Sequence, residues 1–515
     1  MLINNTVKNK RIFYLLLTLG LIYGTVFFYL NVMKYRSFFS FEWEDDAAEN
    51  QVIYNIATSF NPHQTIFISK YFFGHFTPIY FLVALFYKIY PHIYTWYFLM
   101  SFSYGLCVLI VYSLARDILK SEVIALLVAL SYLFYAPLHY VNLGTLDGNT
   151  FALPLLFLTF YFLYKRSFIP YLIFMVLSCL CKEDIPLVIF MLAVYQLIKK
   201  YPKRWWAVTG IFVITYTAFV IKFIPYFRMA HHLAPDYREG CFHYLDLRTF
   251  KEICKFISEP NFLAVALQPN KLKSFFLFLY PVMFLPLFSL EFYLSIPLIL
   301  EVLFTFDLAN DSSYYFSPII PFVFIGAIFI LKNQFKKVKI RNKLRLALSC
   351  FMLFLCIVSN FYRNFLGLTA KENKNTLNFD GRFKDVNNIF SNKIYVVEEE
   401  DRLSWEFIKM VPKNASVIAT GDLLPALSSR NVLREFGLNV DGAIEAPYAD
   451  THRFDYGSYS TDYILINTNN ICNGTGGKYS YLDYELLYQE LNKILKNGYI
   501  VYSREGSLIL YKRIK

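Results

Sequence analysis

The feature that most constrains this chain is the recurrence of helix-length apolar segments divided by short basic runs. The segments lie at about 12–32, 77–90, 93–115, 121–138, 150–164, 167–181, 184–198, 205–226, 273–290, 292–306, 317–331 and 344–362. With 56% apolar and 20% aromatic residues, the chain carries more apolar surface than a water-soluble fold buries, and a multi-pass membrane protein is the class that accommodates it. The net charge of +12 does not point to nucleic acid, because the Lys and Arg residues flank apolar segments and read as topology signals. The first segment follows Lys8, Lys10 and Arg11 but is long, bulky and without a small-residue cleavage site, so an uncleaved first helix is expected.

A bilayer core of roughly 30 Å takes about 20 helical residues, so segment 77–90, opened by Thr77-Pro78 and closed before Pro91, reads as interfacial. If it does not cross, every basic loop falls on the cytoplasmic side: the N-terminus, Arg116 with Lys120, Lys165 with Arg166, the run Lys199 to Arg204, and the cluster Lys332 to Arg345. If it crosses, all of them but the N-terminus move outside. The positive-inside rule therefore predicts about eleven transmembrane helices in an all-α polytopic domain over 1–365 of a cell (plasma or inner) membrane, with the N-terminus cytoplasmic. Segments 273–290 and 292–306 are expected as two helices turning at Glu291. From about 366 the composition turns polar. Strand-like runs at 416–419, 463–467, 498–502 and 507–511, with helical spacing over 481–495, predict a small extracytoplasmic α/β domain over 366–515.

On this topology the outer side carries the chemistry-bearing residues. Glu42, Glu44, Asp45, Asp46 and Glu49 put five carboxylates within eight residues. Adjacent acids in a partly desolvated pocket shift one another's pKa and suit a general base or a divalent cation site. They equally suit a solvated loop whose Asp45 or Asp46 stabilises the N-terminus of a helix over 47–59. Asp147, in Gly144-Thr145-Leu146-Asp147-Gly148-Asn149, is a ligand-binding acid or, like Asn149, a helix cap. Lys182-Glu183-Asp184 sits at a membrane boundary, where three charges must face water, pair with one another or meet a charged ligand. His75 opens the interfacial segment, and Arg228, His231, His232, Arg238 and His243 form a cationic patch suited to phosphate. Glu301 is ionisable within an apolar span, which by default marks a functional candidate. No P-loop, dinucleotide fingerprint or Gly-x-Ser-x-Gly elbow is present, which speaks against ATP-driven pumping and serine hydrolysis.

The order of these elements resembles the predicted membrane-protein family called domain of unknown function 2079. The resemblance rests on the outer acidic group, Gly74-His75-Phe76-Thr77-Pro78, Asp147 ahead of a Leu-Pro helix, Lys182-Glu183-Asp184 and Tyr314-Tyr315-Phe316-Ser317-Pro318-Ile319-Ile320-Pro321. In the tail, Val411-Pro412-Lys413-Asn414-Ala415-Ser416 and Pro425-Ala426-Leu427-Ser428-Ser429-Arg430 extend it. That family in turn looks like the C-type (GT-C) glycosyltransferases, such as the protein O-mannosyltransferases and lipid A aminoarabinose transferases. The resemblance implies a GT-C-like fold, a polyprenyl-phosphate sugar donor, and a glycan, lipid or protein acceptor, with membrane lipids as surroundings and no nucleic acid. It makes Asp45 or Asp46 the catalytic base or acceptor-orienting group of the first outer loop. Glu44, His75, Asp147, Lys182, Glu183, Asp184, Arg228, His231, His232 and Glu301 are then expected to bind substrate; no cofactor is implied beyond a divalent cation at the acidic loop. A transporter or flippase for a lipid-linked precursor, and a non-catalytic assembly protein, are the alternatives that the same residues allow.

Overall fold

The computed structural model describes residues 10–40, 42–66, 75–229, 255, 267–304, 314–333, 341–365, 391–436, 461–470 and 484–514. The apolar segments fold as helices: α1 (Lys10–Arg36), α2 (Trp43–Ser59), α3 (Tyr80–Tyr87), α4 (Ile93–Leu119), α5 (Glu122–Leu133), α6 (Ala136–Leu143), α7 (Asn149–Tyr164), α8 (Phe168–Cys179), α9 (Ile185–Ile198), α10 (Lys203–Met229), α11 (Pro269–Leu279), α12 (Ile296–Phe304), α13 (Ile320–Asn333) and α14 (Arg341–Phe365). Among the described residues, six stretches are long and apolar enough to cross a membrane, and α7, α8, α9 and the stretch Phe292–Phe304 are shorter apolar helices. The eight residues of α3 reach about 12 Å at 1.5 Å per residue, too short to cross a bilayer core.

Close packing starts at α1 and α4. A Cβ on Gly20 would lie 2.7 Å from the Gly105 carbonyl oxygen, so the two backbones touch where small residues let them. Segment 121–138 is not one straight helix: α5 ends at Leu133, and Pro137 in the first turn of α6 restarts it. The carbonyls freed at the break are served by side chains, Leu133 by His139 Nε2 at 2.7 Å and Phe134 by Asn360 Nδ2 at 2.7 Å. Segment 273–290 departs further from the expected helix. After Leu279 the chain runs through tight 3-10 turns at Tyr280–Val282, Leu285–Phe288 and Phe292–Ser295, with Met283 and Phe284 left-handed. Pro281 and Pro286 have no N–H to continue an α-helical ladder, which accounts for the break.

Contacts between connections sort them into two groups. At one end, Lys165 pairs with Asp117, and Arg166 lies 3.4 Å above the Tyr201 ring. There too Lys199 Nζ is 3.2 Å from Glu291, and Arg345 donates to the Leu331 carbonyl at 2.5 Å. At the other end, Lys34 Nζ donates to the Leu143 carbonyl at 2.7 Å and Ile79 N–H to that of Leu180 at 2.9 Å. Lys182 pairs with Asp147 and His75 with Glu183. These are the same two sets into which the basic-residue distribution divides the loops.

The tail adds α15 (Asn392–Tyr395), α16 (Glu399–Met410), α17 (Leu424–Leu427) and α18 (Tyr484–Lys496) to strands β1 (Val417–Ala419), β2 (Leu433–Glu435), β3 (Tyr463–Asn467), β4 (Tyr499–Glu505) and β5 (Leu508–Arg513). The strands form one sheet in the order β2-β1-β3-β5-β4; β1 is parallel to β2 and β3, and β5 is antiparallel to β3 and β4. Sequence alternation predicts four of these strands and the long helix but misses β2. Its three residues, Leu-Arg-Glu, are too short to show a period. Phe38, Ala47, Ala48 and Ile66 join the tail's Phe407, Val417, Leu424 and Leu433 in one apolar cluster, so α2 forms part of the tail's core.

Candidate active site at the acidic end of the bundle

Helix α2 begins at Trp43 rather than at 47. Glu44, Asp45 and Asp46 therefore lie in its first turn, where the helix dipole favours negative charge. The two aspartates differ. Asp46 is buried and engaged, accepting from Ser40 Oγ at 2.5 Å and from the Leu146 N–H at 2.7 Å, which ties α2 to the 144–148 loop. Asp45 is half-buried and lies in the field of Glu42, His75, Asp147 and Lys182. Burial raises its pKa, with Asp147 adding to the rise, while Glu42, His75 and Lys182 pull the other way without cancelling it. One turn on, burial and then Asp147 push Glu49 up to about 8.

The 144–148 loop meets the 181–184 loop at Gly148. A Cβ there would lie 2.2 Å from the Cys181 carbonyl oxygen and 2.7 Å from Thr77, so glycine permits this approach. The contact brings Lys182 Nζ to 3.2 Å from Asp147 Oδ2, and both side chains are almost fully buried. Asp147 Oδ1 accepts the Asn149 N–H at 2.8 Å, so this acid both turns the chain into α7 and holds the lysine. Two aromatic faces enclose the ammonium, 4.3 Å from the Tyr315 ring centre and 5.0 Å from that of Tyr314. Burial pulls the Lys182 pKa down, but Asp147, Tyr315, Asp184 and Glu183 outweigh it, so the lysine stays charged.

Beside this pair, His75 Nδ1 lies 2.7 Å from Glu183 Oε1, and Glu183 Oε2 accepts the Phe76 N–H at 2.9 Å. Despite its burial, Glu183 is held down at about 2 by His75 first and then by Lys182 and the Phe76 N–H. His75 is raised: burial and Lys182 oppose its charge, and Glu183 and Asp147 prevail. Asp184 sits at the cap of α9, pushed up to about 6 by burial, with Glu183 and Asp147 adding to it against Lys182. Glu301, in α12, is an electrostatic neighbour of Asp184, Lys182, Glu183 and Asp147, so this span residue joins the same end.

Of the residues singled out in the sequence, Asp45, Asp46, His75, Asp147, Lys182, Glu183, Asp184 and Glu301 thus converge. Glu44 turns away and shares a hydrogen bond with Glu435 of β2, an arrangement that needs a proton between two carboxyls; burial raises both. His231 and His232, like Arg238 and His243, lie outside the described residues, and so does the side chain of Arg228. Among the described residues, no three His, Cys, Asp or Glu side chains are grouped to hold a metal ion. Sequence reasoning misses the Tyr314 and Tyr315 faces over Lys182, although Tyr-Tyr before Phe-Ser-Pro is visible as a motif. It also misses Glu435, which no local pattern links to α2.

No curated protein sequence matches this chain. Among solved structures, the crystal structure of ArnT from Cupriavidus metallidurans bound to undecaprenyl phosphate superposes with a TM-score of 0.52 at 11% identity, over 96% of this chain and 98% of that one. ArnT from the same organism in the apo state gives 0.47 at 11% identity, over 91% and 93%. The first likeness establishes an ArnT-like fold. The sequence pattern of one family runs through both the helical bundle and the sheet of the tail, matching residues 47–509, and the chain belongs to that family, the predicted membrane proteins of DUF2079.

Proposed function

We propose that this protein is a membrane glycosyltransferase that moves a sugar from a polyprenyl-phosphate donor to a glycan, lipid or protein acceptor. The acidic end of the bundle then faces the exoplasm, with about eleven crossings and the N-terminus in the cytoplasm, a reading that the basic loops at the opposite end support. The observation that carries the reading is the buried Lys182, charged, capped by two tyrosines and set beside Asp45. It supplies a cation for a phosphate and a base for a hydroxyl within one cluster. The ArnT-like fold supports it, since the superposed ArnT binds undecaprenyl phosphate.

In this mechanism the acceptor oxygen attacks the anomeric carbon while the bond from that carbon to the phosphate oxygen breaks. The polyprenyl phosphate leaves with the electron pair. Asp45 takes the acceptor's proton, and its raised pKa suits that task better than an ordinary carboxylate does. Lys182 and the His75–Glu183 pair stabilise the departing phosphate. Asp46, already committed to Ser40 and Leu146, positions the loop that carries Asp147.

The test is glycolipid profiling of a deletion strain carrying wild-type or variant copies at matched protein levels. The deletion removes one glycoconjugate and accumulates its lipid-linked sugar, and the wild-type copy reverses both. Asp45→Asn, with the proton acceptor gone, is expected to retain about a hundredth of the activity or less. Full restoration of the glycoconjugate by Asp45→Asn would refute the transferase mechanism.

A further inference from the structure

The polar groups left over at the acidic end identify a second feature. Asn149, the first residue of α7, is fully buried, yet among the described residues neither atom of its side-chain amide has a hydrogen-bond partner. Leaving a buried polar group unsatisfied is costly, and a native structure keeps one only for a reason. The amide is not a helix cap, because α7 is preceded by Gly148 and has no side-chain cap. Nor can the backbone shift to relieve it: the Asn149 N–H donates to Asp147 Oδ1 at 2.8 Å, and its carbonyl accepts from Ser317 Oγ at 3.1 Å. Among the described residues two further buried atoms nearby lack partners, Asp184 Oδ1 and Glu49 Oε2, the Glu49 carboxyl also interacting with Tyr80, and both acids feel the charge of Asp147.

The chemistry of this set selects its ligand. The amide donates and accepts at adjacent atoms. Asp184, at about 6, is mostly ionised at neutral pH and accepts only. Glu49, at about 8, is mostly protonated and can donate. A phosphate, which only accepts, would meet repulsion at Asp184, and a prenyl chain would satisfy none of these atoms. Neighbouring hydroxyl groups both donate and accept, and so can pair with all of them. We infer that Asn149, with Asp184 and Glu49, forms the subsite that recognises the hydroxyl groups of the transferred sugar, next to the Asp147–Lys182 pair that holds its phosphate. This rests on the transferase reading above and adds the residues that select the sugar.

The experiment measures binding of bare undecaprenyl phosphate, and of a panel of undecaprenyl-phosphate pentoses and hexoses, to the full chain in detergent, together with its thermal unfolding. Wild type should bind bare lipid phosphate and gain affinity from at least one attached sugar. Asn149→Leu should bind the bare lipid as wild type does, lose about tenfold or more of the sugar-dependent gain, and unfold at the same or a higher temperature. Asp184→Asn should lower the same gain while binding the bare lipid at least as tightly as wild type, because a negative charge near its phosphate is lost. A lower unfolding temperature for Asn149→Leu would mean that the amide has a partner within the protein, and overturns the subsite. Equal losses for bare and sugar-linked lipid, an unchanged gain in the variants, or no gain from any sugar in wild type overturn it too. If wild type binds neither form of lipid, the transferase reading fails first and the subsite goes with it.

Discussion

The two ends of the helical bundle handle charge in opposite ways. At the basic end, each ion is part-exposed or served by a nearby group: Lys165 and Lys199 keep 30% and 39% of their side-chain surface, Arg166 stacks on Tyr201, and Glu291 also accepts from Tyr195 and Ser289. At the acidic end, Lys182 and Asp147 keep 1% and 4%, and among the described residues carboxyls outnumber cations and buried polar atoms remain unmatched. One end keeps its charges near the surface, where pairs carry little energetic risk. The other accepts desolvation that stability alone would not select, as sites prepared for a ligand do.

The sharpest way to break this contrast is to remove one half of the buried pair. Lys182→Met leaves Asp147 uncompensated and should destabilise the protein by about 3–5 kcal/mol. Adding Asp147→Asn should restore most of that loss but no transfer activity. Thermal unfolding in detergent, paired with glycolipid profiling, checks both. A single variant no worse than a surface charge change would mean that the acidic end is as forgiving as the basic one.

A smaller, pH-dependent effect should come from His75 and Glu183. His75 is raised above its ordinary 6.5, so its contribution is fully present below that value and fades as pH rises through the folded-state pKa. Glu183 is lowered to about 2, so its share is present above about 4.5 and is lost only as pH falls toward 2. The pair therefore stabilises most between about pH 4.5 and 6.5. His75→Gln should remove about 1 kcal/mol within that window and progressively less above it, which unfolding midpoints across pH would show. An equal difference at pH 5 and pH 9 would separate the two residues electrostatically.

The smallest change is expected at the other end. Lys165→Gln removes a part-exposed partner of Asp117, which keeps Arg116 at 3.2 Å, so stability should shift by less than about 1 kcal/mol and the glycolipid profile should not change. A loss comparable to that of Lys182→Met would erase the distinction.

Much of the bundle was legible because its signals are local. Apolar length, flanking Lys and Arg, and Pro78 with Pro91 sufficed to read 77–90 as non-crossing, and the eight-residue α3 agrees. The two sets of connections followed from charge alone. What escaped depends on distant partners. The break after Leu279 was marked by Pro281 and Pro286, yet hydropathy averages over prolines that hydrogen bonding cannot ignore. The convergence of the acids could be inferred from sidedness, but the division of labour between Asp45 and Asp46 could not, because it depends on the Leu146 N–H, a hundred residues away. Asn149 reads from the sequence only as a candidate helix cap; what marks it out is that, among the described residues, its buried amide has no partner.

The broken stretch after α11 also bears on what its own local structure depends on. The Phe278 carbonyl is met by the Tyr135 hydroxyl and that of Pro281 by Cys356 Sγ at 3.4 Å, so one group is served from the break between α5 and α6 and the other by α14, some seventy residues further on. Carbonyls facing hydrocarbon without a donor cost several kcal/mol each. The stretch is therefore fully served only when α14 has packed against it, so its local structure depends on a helix made later in the chain.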